Sequence, residues 1–180
     1  MKKIKTYVIF ISLTFPAYHS RKGDHTYFIE KLLGRQTICE APVCVKKLHT
    51  FRGNYKIWKK RIDEVLAGNA IISIRYHTLG RYVKGNEQIE VAQFNNNSFI
   101  GIQEAIYLPD FKNDFRGMAI RCDDGLFYDF PFYKVAENDG LRLSDFMEWF
   151  EKGKYNLKEP MACIHFTSFR YKPYLKKLIE

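Results

Sequence analysis

Short runs in which apolar side chains fall on every second residue constrain this chain most. "QIEVAQF" (88–94) sets Ile89 and Val91 against Gln88 and Glu90, the pattern of a half-buried strand. "KTYVIFISLTF" (5–15) reads as a buried strand stopped by Pro16. "LHTFR" (48–52), "AIISIRY" (70–76) and "ACIHFTSFRY" (162–171) are further strands, and "AIRCDDGLFYDF" (119–130) is a hairpin about Asp123–Asp124–Gly125. Three helices interrupt them. "DHTYFIEKLLG" has Asp24 or Thr26 as cap and Gly34 as stop. A second runs from a cap at Asn54 to Leu66, with Tyr55, Trp58, Ile62 and Val65 at helical spacing. "LSDFMEWFEKG" is capped by Ser144. No repeat and no low-complexity linker divides the chain, so residues 1–180 are expected to form one α+β domain. Its core would be a small, mostly antiparallel barrel or curved sheet with peripheral helices.

Composition narrows the class of partner. Lysine and arginine exceed the acidic residues enough to give a net charge of +9, and aromatics reach 16%. Such a chain favours a polyanionic partner, with aromatic rings available to stack on bases. The plainer reading, that the aromatics are core and the lysines solubilising, stands beside it. The four cysteines include "CEAPVC" (39–44), which is not a zinc-knuckle spacing. Reduced, mostly buried thiols, no metal and no cofactor are expected. The basic, apolar start has no small-x-small cleavage site, and no run reaches the roughly 18 apolar residues of a membrane span. A cytoplasmic protein without a membrane partner is expected.

The densest basic stretch is "KKLHTFRGNYKIWKKRIDEV" (46–65). Its second half is an amphipathic helix whose lysines fall largely off the apolar stripe. In its first half, Thr50 and Arg52 are two apart and share a strand face, with Lys47 at the strand's entrance. A fixed guanidinium, a hydroxyl and a bendable amine at one corner suit an anion site or an acyl-transfer site. There Thr50 would be the nucleophile and Lys47 its activator, provided burial lowers the lysine toward neutrality. A solvated strand face is the alternative from pattern alone.

"KLHTFR", Lys47 to Arg52, resembles the K-x-x-T-x-R signature of the ASCH domain family, a branch of the PUA-like fold. The surroundings match in order: "YVIFISLTF" and "YFIEKLLG" before it, then "AGNAIISIR", "QIEVAQF", "DGLRLSDFMEWF" and "IHFTSFRY". The spacing is stretched by insertions near 35–46, 53–66 and 103–133. "GRQT" (34–37) echoes the same signature but lacks its lysine and its arginine. The resemblance implies a PUA-like barrel whose groove holds RNA or a modified nucleoside or nucleotide. One branch of the family, the bacterial acetylcytidine amidohydrolases, uses a lysine, a threonine three residues later and a glutamate before the late helix. Carried over, these fall on Lys47, Thr50 and an acid that is Asp139 or Glu137, with aspartate one methylene shorter than the family's glutamate.

As binding chemistry, the same residues would grip a nucleotide: Lys47 and Arg52 as cations, Thr50 as a hydrogen-bonding group, and Tyr76 or Phe51 as a stacking platform. Arg75 at a strand end, and Arg81 and Lys84 beside Tyr82 in a glycine-marked turn, are further nucleotide contacts to expect. His49 falls on the opposite strand face from Thr50, and His165 reads as a core histidine. Three functions follow: a module binding RNA or a nucleoside, an amidohydrolase acting on acylated cytidine, and a non-catalytic protein-interaction module using 103–133.

Overall fold

The computed structural model describes residues 4–34, 46–79, 82–108, 117–153 and 159–173. The elements are β1 (Lys5–Phe10), α1 (Phe28–Leu33), β2 (His49–Arg52), α2 (Tyr55–Leu66), β3 (Ala70–His77), β4 (Gln88–Phe94), β5 (Gly101–Leu108), β6 (Gly117–Arg121), β7 (Phe127–Pro131), α3 (Phe132–Asp139), α4 (Leu143–Glu151) and β8 (Met161–His165). This is an α+β fold with two sheets. One has the order β1-β3-β4, with β1 parallel to β3. The other has the order β2-β8-β5-β6-β7 and is antiparallel throughout.

The described strands do not close into the expected barrel. β1 and β2 are edge strands of different sheets. A side chain joins them: Arg52 Nη2 donates to the Phe10 carbonyl at 2.7 Å. The first strand is also shorter than its apolar run. It ends at Phe10, and residues 13–15 pair instead with residues 23–26 through a bridge at Thr14 and the Phe15–Asp24 and Thr26–Leu13 backbone bonds.

The hydrophobic periodicities otherwise locate their elements well. On α2, Trp58, Ile62 and Val65 are buried, and Asn54 Oδ1 accepts from the Ile57 amide at 3.2 Å, a cap interaction of about 1 kcal/mol. The helix at 143–151 is present, but Arg142 takes the N-cap position and Ser144 lies inside it. α3 was not expected from sequence. The stretch 103–133, expected to be an insertion, supplies most of β5, all of β6 and β7, and the start of α3. Met118, Ile120 and Phe130 from it are buried in the common core. Residues 35–45, with Cys39 and Cys44, lie outside the described set. Cys122 and Cys163 are free and buried. Burial pushes both thiols up, that of Cys122 to about 11, so both stay protonated and unreactive. Among the described residues no helix is long and apolar enough to cross a membrane.

Candidate functional site

Three backbone hydrogen bonds fix the segment ahead of β2. The Lys47 amide donates to the Lys31 carbonyl at the end of α1 (3.2 Å). The Leu48 amide donates to the Asn138 carbonyl at the end of α3 (2.8 Å), and the Leu48 carbonyl accepts from Phe166 just past β8 (2.9 Å). The Leu48–Asn138 bond sets Lys47 beside Asp139, the last residue of α3. α3 ends there because Gly140 takes a left-handed conformation (φ 79°), which a glycine adopts without strain. A Cβ at Gly140 would meet Lys47 Cβ at 3.4 Å and Lys31 Cδ at 3.2 Å. The missing side chain therefore lets the two segments approach.

The Lys47 ammonium donates to Asp139 Oδ1 at 2.7 Å and to the Asp139 carbonyl at 2.8 Å, and lies 4.0 Å from the centre of the Phe28 ring. The Lys47 side chain is 1% exposed and that of Asp139 8%, so this is a buried ion pair. Burial pushes the Lys47 ammonium down, and the Asp139 charge only partly offsets it. Burial pushes the Asp139 carboxyl up, but Lys47 and then His49 outweigh it and hold it below the usual carboxylate range. The lysine is thus an amine that releases its proton more readily than an exposed one, beside a carboxylate that stays ionised.

Thr50 lies one register step into β2, buried, opposite Ile164. Its Oγ1 accepts from Arg52 Nη1 at 2.9 Å. The same Nη1 donates to the Phe51 carbonyl at 2.7 Å. Arg52 therefore clamps β2 to β1 and places positive charge on the threonine oxygen, which favours loss of the hydroxyl proton.

Lys47, Thr50, Arg52 and Asp139 all line one cavity of about 210 Å³, walled by aromatic rings from Phe10, Phe28, Phe51, Trp149 and Phe150 and by Ile11 and Ser12. It lies in the seam between the sheets. Five of the ten residues that sequence pointed to, Lys47, Thr50, Phe51, Arg52 and Asp139, thus meet at one place. Glu137 is exposed on α3 and does not line the cavity, so of the two candidate acids only Asp139 reaches it. Arg75 and Tyr76 are also absent from its wall. Arg75 Nε donates to Ser73 Oγ at 2.8 Å, and its Nη2 lies 3.7 Å from Glu90. Lys84 is exposed in the β3–β4 turn, and Arg81 lies outside the described residues. Of the two proposed stacking platforms, Phe51 is in the wall.

Sequence reading set His49 aside by strand alternation. Its ring does point into the core, fully buried, but Nδ1 there lies 3.6 Å from Asp139 Oδ1, and Nε2 is 2.8 Å from the Tyr171 hydroxyl. No local pattern announces this, since Asp139 and Tyr171 lie 90 and 122 residues downstream. His165 is fully buried on β8 and does not line the cavity, but neither of its ring nitrogens finds a hydrogen-bond partner among the described residues, unlike the satisfied core histidine expected. Among the described residues no cluster of histidine, cysteine and carboxylate side chains is arranged to hold a metal. No family model, curated protein or solved structure matches this chain.

Proposed function

We propose that the cavity binds the base of a modified nucleoside or nucleotide and that Thr50, Lys47 and Asp139 hydrolyse an acyl group from its exocyclic amine. The observation that supports this most is convergence. A hydroxyl, a buried amine of lowered basicity and a carboxylate, separated by up to 92 residues, line one aromatic-walled slot. Planar rings on its walls suit a base, and its volume is below that of pockets for drug-sized ligands. The K-x-x-T-x-R spacing supports the companion reading that the chain is a divergent ASCH domain, its PUA-like barrel opened into two sheets.

In this mechanism neutral Lys47 takes the Thr50 proton as Oγ1 attacks the amide carbonyl. The resulting ammonium, held by Asp139, passes the proton to the departing amine as the C–N bond breaks. Water, deprotonated by the again neutral lysine, then cleaves the threonyl ester and releases the carboxylic acid. Arg52 keeps the attacking oxygen oriented throughout. Incubation with N4-acetylcytidine is expected to release acetate and cytidine. Thr50→Ala should lower the rate by at least about a thousandfold, and Thr50→Ser should retain part of it. Because the neutral amine is the working form, the rate should rise with pH as Lys47 loses its proton. No release by the wild type, or equal release by Thr50→Ala, would exclude the mechanism.

A second reading, binding of a polynucleotide without chemistry, rests on a neighbouring cavity of about 470 Å³. It shares Phe10, Ile11 and Ser12 with the first and continues to His77, Thr78 and Leu79, at the base of the turn that carries exposed Tyr82 and Lys84. A strand extending from the first cavity would meet both. Binding of single-stranded RNA is then expected to weaken at least about tenfold between 50 and 200 mM salt. Affinity that does not change with salt would rule this reading out.

A further inference from the structure

We infer that His49 is a positioning residue for Asp139, held by Tyr171 as a standby hydrogen-bond donor that takes over the carboxylate when Lys47 is neutral. This rests on the proposed role of Lys47 as a base. Working as a base leaves Asp139 with a neutral partner, and a buried carboxylate that loses its counter-charge needs another donor.

The geometry supplies that donor. Asn138 Nδ2 donates to the Tyr171 hydroxyl oxygen at 3.2 Å. The same hydroxyl lies 2.8 Å from His49 Nε2, and in the proposed arrangement it donates its proton there, leaving Nε2 as the acceptor. A neutral imidazole that accepts at Nε2 carries its proton on Nδ1. Nδ1 faces Asp139 Oδ1 at 3.6 Å, is buried and has no hydrogen-bond partner. At that distance the contact is long and weak while Lys47 holds the carboxylate, and a few tenths of an ångström bring it into full bonding range. Burial keeps His49 neutral, so it can donate without adding a second charge.

The groups around the relay are few. Asp139 and Asn138 come from α3, Lys47 from the segment before β2, and Tyr171 from the segment after β8. The His165 ring is 5.7 Å away on β8. That ring is itself neutral through burial. Lys31 and Arg52 act on Lys47 from its other sides as like charges. Tyr171 is fixed in turn by Gln103, whose Oε1 accepts from the Tyr171 amide at 2.8 Å and whose Nε2 donates to its carbonyl at 3.0 Å.

The test reads the Lys47 proton directly. In protein carrying 13Cε-labelled lysine, Lys47 is expected to titrate at higher pH in His49→Leu than in the wild type, because the neutral-lysine state has lost its second donor. His49→Asn, which can place an amide N–H near the site of Nδ1–H, should restore much of the wild-type behaviour. Tyr171→Phe should move Lys47 in the same direction as His49→Leu, and it carries the test if His49→Leu does not fold. With N4-acetylcytidine, His49→Leu should lower kcat about tenfold at neutral pH with KM little changed, as befits loss of one hydrogen bond to a charged group. An unchanged Lys47 titration in a folded His49→Leu or Tyr171→Phe protein overturns the inference, as does His49→Asn behaving like His49→Leu. A shifted titration in proteins that release no acetate keeps the inference and removes the amidohydrolase reading instead.

Discussion

Asp139→Leu is expected to destabilise the protein by about 3–5 kcal/mol, the usual consequence of leaving one member of a buried ion pair uncompensated. The reason is local. The Lys47 ammonium has Asp139 Oδ1 and the Asp139 carbonyl as its hydrogen-bond acceptors, and its side chain is almost wholly out of water. The leucine variant keeps the carbonyl but removes the charge. The penalty should shrink as pH rises, because Lys47 sheds its proton and the uncompensated charge disappears. The double variant Lys47→Met/Asp139→Leu removes both charges and is expected to recover most of the lost stability while showing no hydrolysis. Denaturant titrations of both variants near neutral pH check this. A single variant within about 1 kcal/mol of wild type, or a double variant no better than the single, would show that the pair is not the buried, mutually dependent unit described. In the wild type the lowered Asp139 value implies a related acid response. Its contribution is complete above the ordinary aspartate range near pH 4 and is lost as pH falls through the lowered value.

Phe146→Ala is the second large effect, expected to cost about 3–5 kcal/mol. Phe146 has no exposed surface. Its ring lies 4.7 Å from Phe150, 5.9 Å from Phe132 and 6.0 Å from Phe51, measured between centroids. Phe51 and Phe150 form part of the cavity wall, so Phe146 backs that wall from behind. Its loss should lower the denaturation midpoint with the denaturant dependence unchanged. In protein that remains folded, KM should rise more than kcat falls, since the wall loses its support while Lys47, Thr50 and Asp139 keep theirs. A midpoint close to wild type would mean that α4 repacks freely against the sheet, contrary to the interlocked rings described.

Much of the site was legible because its parts follow short-range rules. Alternation puts Thr50 and Arg52 on one face, with Lys47 at the strand's entrance. The choice between Asp139 and Glu137 was not legible. It depends on where a short helix stops relative to a strand some ninety residues earlier. That relation is set by the Leu48–Asn138 backbone bond, which leaves no mark in either segment. The approach of His49 to this carboxylate was not legible for a related reason. Alternation turned it away from Thr50, but the core it turned into brings its Nδ1 to 3.6 Å from the same Asp139 oxygen that Lys47 holds. The barrel expectation is not met: the described strands form two separate sheets, each with two open edges. The alternating pattern of a strand says which face is buried and does not say whether its neighbour is a ladder or a guanidinium. The role of 103–133 was missed because β5 and β6 are held by long-range pairing to β8 and to each other.

The Arg52 bridge between β1 and β2 has a mechanical side. Along most of a sheet edge, separating two strands means breaking a row of backbone hydrogen bonds together. At this seam the Arg52 bond to Phe10 can be exchanged for one to an incoming oxygen by rotating a side chain, with both ladders left intact. The cavity therefore lies where, among the described residues, no strand ladder joins β1 to β2 and a guanidinium spans them instead. The same guanidinium donates to Thr50 Oγ1, so any displacement across this seam reaches the threonine hydroxyl directly.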